Sequence, residues 1–134
     1  MKKKKLFMGT TAINEERTIS QIQAVLSNYG VTAVLTDYKE GRIEAMAFKI
    51  NGVPFSLPCR WRSVVQFVGN EDKARRIAWR QIFRWVQAQC ALCDTGMVQI
   101  DEVFLPYMQV KPGVLFYEQV QQHGANLLSY EGAK

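Results

Sequence analysis

Four cations, Lys73, Arg76, Arg80 and Arg84, recur at steps of three, four and four residues. On a helix that spacing keeps them within about 80° of one another, in a ladder about 16 Å long. Guanidinium groups offer paired donors to phosphate oxygens and hold their charge at any physiological pH, so the ladder suits a nucleic-acid backbone. Just upstream, Arg60 and Arg62 flank Trp61, an aromatic among cations of the kind that stacks on an unpaired base. No acidic residue lies between Lys73 and Ala91 to neutralise the row through pairs one turn apart. Blander readings compete, because an outward helix face is normally charged and tryptophans such as Trp61, Trp79 and Trp85 more often fill a core. An acidic protein surface would also satisfy the same cations.

Other residue types offer less. Cys90 and Cys93 form a C-x-x-C, but a four-ligand zinc site would also need Cys59 and the single histidine, His123, to converge on them. Small buried thiols are the simpler expectation. His123 sits among glutamines near the chain end, with no serine or cysteine nucleophile in a recognisable elbow. Carboxylates occur as Glu15-Glu16, Asp101-Glu102 and singly at Asp37, Glu40 and Glu44, without a spacing that pins two of them beside a third. No phosphate-binding glycine loop or H-E-x-x-H is present. These residues predict a non-enzymatic protein with no catalytic residues, no metal site and no cofactor.

The elements that must carry the cations follow from periodicity. Leu6 to Ile13 reads as a strand. A helix then begins at Thr18, with Thr18 and Gln21 as a capping box, Ile19, Ile22, Val25, Leu26 and Tyr29 on one face, and Gly30 as the stop. From Val31 the period becomes two. A turn through Tyr38-Lys39-Glu40-Gly41 leads into Arg42 to Ile50, and Asn51-Gly52, the strongest short hairpin signal, into Val53 to Leu57. Pro54 assigns that last strand to an edge. Asn70 with Glu71 and Asp72 opens a long helix to Asp94 or Thr95, closed by Gly96. Its apolar arc is Ala74, Ala78, Ile82 and Leu92, flanked by Trp79, Trp85, Val86 and Cys93, with the cation ladder opposite. Short helices are expected over Asp101 to Met108, stopped by Pro106, and over Val114 to Gln122. An α+β fold follows: strand and helix, a three-stranded antiparallel meander, a long core helix and short C-terminal helices.

At 134 residues, 48% hydrophobic and 11% aromatic, the chain is the size of one domain with an ordinary core. It is read as a single domain over 1–134, with a basic tail at 1–5 and a loose tail from about 124 to 134. Apolar runs are too short to cross a bilayer or to serve as a secretion signal behind Lys2 to Lys5, and three cysteines argue against a disulfide framework. A cytoplasmic location with no membrane contact is therefore expected. The net charge of +5 favours anionic partners, DNA or RNA first and acidic proteins second.

The order helix, three antiparallel strands, helix resembles that of double-stranded-RNA-binding domains, and Lys73-Ala74-Arg75-Arg76 is similar to that family's basic helix start. The Lys39-Glu40-Gly41-Arg42 loop lacks the Gly-Pro and His of the family. The segments Glu16-Arg17-Thr18-Ile19 with Gln21-Ile22, and Ala78-Trp79-Arg80 through Glu102-Val103-Phe104-Leu105-Pro106-Tyr107, resemble small accessory proteins of temperate phages and prophages. That likeness implies a mobile-element accessory role, in DNA metabolism or in inhibiting a host defence complex. The expected function is thus a nucleic-acid-binding accessory protein using Lys73, Arg76, Arg80, Arg84, Arg60, Arg62 and Trp61. The alternative is a protein-binding inhibitor or modulator of a host defence or phage complex that uses the same basic face.

Overall fold

The alternating segment from Val31 to Pro58 folds as a meander in the computed structural model, which describes residues 5–127. β1 (Val31–Lys39), β2 (Arg42–Ile50) and β3 (Val53–Pro58) pair antiparallel in the order β1-β2-β3. Asn51 and Gly52 take φ of 51° and 80°, the double left-handed conformation that a two-residue hairpin turn demands, and Ile50 pairs directly with Val53. Met46, Phe48 and Ile50 on β2 and Phe55 and Leu57 on β3 point into the core. Pro54 lies exposed on the outer strand. β1 spends two residues between Thr32 and Leu35 where β2 spends one between Lys49 and Ala47, and Ala33 sits there at φ 52°. The free edge of β1 is therefore bulged.

The first helix begins earlier than its apolar pattern suggested. α1 (Glu15–Ser27) is capped by Asn14, whose side chain accepts from the Arg17 N–H at 2.8 Å, and Glu15 and Glu16 occupy the dipole-favoured first turn. Thr18 is not a cap but a fully buried residue inside the helix. Leu6 to Ile13 is not a strand. The Gly9 N–H closes on the Leu6 carbonyl at 2.8 Å and the Thr11 N–H on the Met8 carbonyl at 3.1 Å, so the chain turns where a strand would run straight. A Cβ at Gly9 would stand 2.8 Å from the Leu6 carbonyl oxygen, which only glycine avoids. The segment crosses the long helix instead, its Phe7 carbonyl accepting from Gln81 at 2.8 Å.

α2 (Arg62–Val68) leads through Gly69 into α3 (Glu71–Asp94), capped by the Asn70 side chain on the Lys73 N–H at 2.8 Å. α1 and α3 pack side by side on one face of the sheet. The inward line of α3 is Trp79, Phe83, Val86 and Cys90, all buried, whereas Ile82 and Leu92 of the expected arc are half-buried. Ile77 projects about 180° from Val86 at 100° per residue, yet both are fully buried. α3 is thus enclosed by the sheet on one side and by α2 and the N-terminal segment on the other.

The C-terminal third adds α4 (Ile100–Phe104), a 3-10 turn (Leu105–Tyr107) containing Pro106, and a hairpin of β4 (Gln109–Lys111) and β5 (Val114–Leu115). α5 (Phe116–Leu127) follows, broken at His123. The helix expected over Asp101 to Met108 is accordingly shorter, and the one expected over Val114 to Gln122 starts at Phe116, because Val114 and Leu115 pair with β4, and continues to Leu127. Phe104 plugs this third into the core, 5.1 Å edge-on from Phe48 and 5.5 Å edge-on from Trp85. Of the expected loose tail, residues 124–127 are helical and 128–134 lie outside the described residues, as do residues 1–4 of the basic tail. No helix among the described residues is long and apolar enough to cross a membrane.

Candidate nucleic-acid interface

The cations divide into those that carboxylates hold and those that none holds. At one end of the sheet Glu44 gathers Arg75 and Arg62, each at 3.3 Å, and accepts from the Trp61 indole N–H at 3.3 Å. The two guanidinium carbons lie 4.3 Å (Arg62) and 4.1 Å (Arg75) from the Trp61 ring centroid. Trp61, with 6% of its surface exposed, is therefore a core side chain held among cations rather than a platform for a base. Arg62 is committed to the same assembly. Arg42 bonds Glu15 and, at 2.7 Å, Asp72, while Arg75 also faces Glu71 at 3.5 Å. The start of α3 is consequently not a basic tip: its acidic first turn holds Arg42, and Arg75 turns inward.

The predicted ladder is also not an outward face. Arg80 is 6% exposed, lying in the seam between α3 and α1. Its Nη1 donates to the Gln21 side-chain oxygen and, at 3.4 Å, to the Thr18 hydroxyl, and its Cζ stands 4.6 Å from the Phe83 ring centroid. Both polar partners are neutral. Burial, with the neighbouring charges of Arg84 and Arg17, lowers its pKa, although a guanidinium remains protonated throughout the physiological range. Around it Lys73, Arg84 and Arg17 are exposed and Arg76 is half-buried, its Nε shielded from water without a partner. Arg84 donates to the Gln87 side chain at 2.8 Å. Among the described residues no carboxylate lies within ion-pair distance of any of these five.

Arg60 stands apart from both groups, exposed and without a side-chain partner among the described residues. It borders two adjoining clefts, one of about 400 Å³ and one of about 660 Å³.

Arg17 joins the cations from α1, a second helix that spacing along α3 alone does not reveal. A signal was present: Thr18 and Gln21 are polar residues one turn apart beside the apolar line of Ile19, Ile22 and Leu26, the mark of a helix flank that meets a polar partner. The thiols are unpaired, Cys59 and Cys90 buried and Cys93 half-buried. Burial pushes Cys59 up to about 12 and, with Cys93 and Asp94, Cys90 up to about 11. Among the described residues no three of His, Cys, Asp and Glu converge as metal ligands. Compared with known proteins, the chain matches no family model, no curated protein and no solved structure.

Proposed function

We propose that the protein is a non-enzymatic nucleic-acid-binding accessory protein of a phage or mobile element, which contacts phosphates along the α1–α3 seam. Arg17 and Arg84 make outer contacts, Lys73 and Arg76 extend the track, and Arg80 supplies a fixed charge beneath it. The observation that carries this reading is the buried Arg80 guanidinium with only neutral partners and two like charges beside it. A desolvated cation without a counter-charge is costly, and an incoming phosphate would supply that counter-charge. The carboxylates that hold Arg42, Arg62 and Arg75 leave this seam as a stretch of cations without acidic partners.

The double variant Arg17→Gln/Arg84→Gln alters two exposed side chains and is expected to keep its fold. Its affinity for oligonucleotides should fall, and the slope of log affinity against log salt should flatten by about 0.7 to 0.9 for each phosphate no longer neutralised. Unchanged affinity and slope would overturn the reading. Loss of a captured protein instead, in lysate treated with nuclease, would assign the seam to a protein partner.

A further inference from the structure

We propose that the two clefts meeting at Arg60 receive an unpaired nucleobase and its phosphate, so that the protein engages single-stranded rather than duplex nucleic acid; this rests on the nucleic-acid reading of the seam. The smaller cleft lies where β3 ends against α2 and α3, and its volume falls within the usual range for small-ligand sites. Leu57, Val64, Ala78 and Ile82 give it apolar walls, and the Trp85 and Tyr107 rings border it. Trp85 is fixed edge-on by Phe104 at 5.5 Å and by Tyr107 at 6.2 Å, so the aromatic wall is preorganised.

A base needs more than an apolar slot, because its edge carries donors and acceptors. The Ser63 hydroxyl and the Gln81 side chain supply these, Gln81 with its amide nitrogen already committed to the Phe7 carbonyl and its oxygen left to accept. Across Arg60, the second cleft is bordered by Tyr107, Glu118 and the exposed Tyr117, whose hydroxyl accepts from Gln121 at 3.1 Å. One oxygen of the Glu118 carboxylate accepts from the Leu115 N–H at 2.9 Å, and the group keeps its charge, so Arg60 is the position for the phosphate. A planar aromatic group flanked by an anion matches this sequence of aromatic wall, unpartnered guanidinium and exposed tyrosine. Duplex recognition through the start of α3 is disfavoured, since Asp72 and Glu71 already occupy that end with Arg42.

The test uses fluorescence anisotropy on the full chain with a single strand of about 12 nucleotides, its duplex, and a strand carrying abasic sites. Wild type should prefer the single strand to both competitors. Tyr117→Ala, at a half-exposed ring, should weaken single-strand binding on the order of tenfold and leave duplex binding unchanged. Arg60→Gln should reduce the single-strand salt slope by about 0.7. Thermal unfolding of both variants checks that they fold. If folded Tyr117→Ala binds the strand as wild type does, or if the abasic strand binds equally well, the cleft proposal is overturned. In that case the seam reading stands as long as Arg17→Gln/Arg84→Gln still loses affinity. Failure of wild type to bind any of the three probes overturns both.

Discussion

Glu44 meets Trp61, Arg62 and Arg75 at once, and its charge is what organises them. Burial alone would raise its carboxyl, but the Trp61 N–H, the Arg62 hydrogen bond and charge, and the Arg75 charge together bring it below its ordinary value. A carboxylate lowered on folding contributes stability above its unfolded pKa, and that contribution disappears as pH falls through the folded one. Glu44→Gln keeps an acceptor for Trp61 but removes the charge facing Arg75, so it should cost about 2 kcal/mol at neutral pH. Urea midpoints of variant and wild type should converge as the pH drops below the ordinary carboxylate range. A gap that stays constant with pH would show that hydrogen bonding, not charge, holds the cluster.

Among the elements, α3 teaches most about what a sequence exposes. The three strands of the meander and the Asn51-Gly52 turn were legible because alternation and a demand for positive φ are local, whereas the short β4–β5 hairpin was not, its Val114 standing where a helix is expected to begin. The caps and span of α3 were legible for the same reason, since Asn70 and Gly96 act within a turn of themselves. Its faces were not, because helical periodicity reports which side is apolar only when one side faces water. α3 is covered on opposite flanks, so Ala74 and Ile77 are as buried as Trp79 and Val86. Arg80 was misplaced outward because its partners, Thr18 and Gln21, stand 62 and 59 residues away. Leu6 to Ile13 showed strand-like residues but turns at Gly9 and crosses α3 instead of reaching the sheet. The consequence is measurable. Ile77→Ala should lower stability by about 3 kcal/mol, as a fully enclosed position does, whereas Ile82→Ala, bordering the open cleft, should cost about 1 kcal/mol or less. Equal losses in chemical denaturation would mean that the N-terminal segment does not seal the Ile77 flank.

On the scale of the whole molecule, charge is sorted. The ion pairs collect where β2 meets α2 and the starts of α1 and α3, and the cations without carboxylates line the seam between α1 and α3. Under the proposed function, such a distribution would orient an approaching polyanion before contact and make its association sensitive to salt. It also sets stability against binding. Arg80→Met removes a buried charge that lacks an opposite partner while keeping most of the volume. Its thermal midpoint should therefore match or exceed that of wild type, while oligonucleotide affinity falls. A large loss of stability with affinity unchanged would make Arg80 a purely structural residue. Saturating oligonucleotide should in turn raise the wild-type midpoint, by the equivalent of about 2.7 kcal/mol at a hundredfold excess over Kd, and raise that of the variant less.

The bulge at Ala33 bears on how copies of this protein meet one another at high concentration. Beside it Leu35 is 65% exposed on the outer strand, an apolar residue on an edge of the kind that recruits a neighbouring chain into lateral growth. The extra residue breaks the straight row of donors and acceptors that such growth copies. The opposite edge, β3, is already engaged where Phe55 pairs with Met108. With one border bent and the other bridged at Phe55, the sheet presents less of the straight unpaired row that cross-β growth copies, so the Ala33 bulge works against lateral self-assembly.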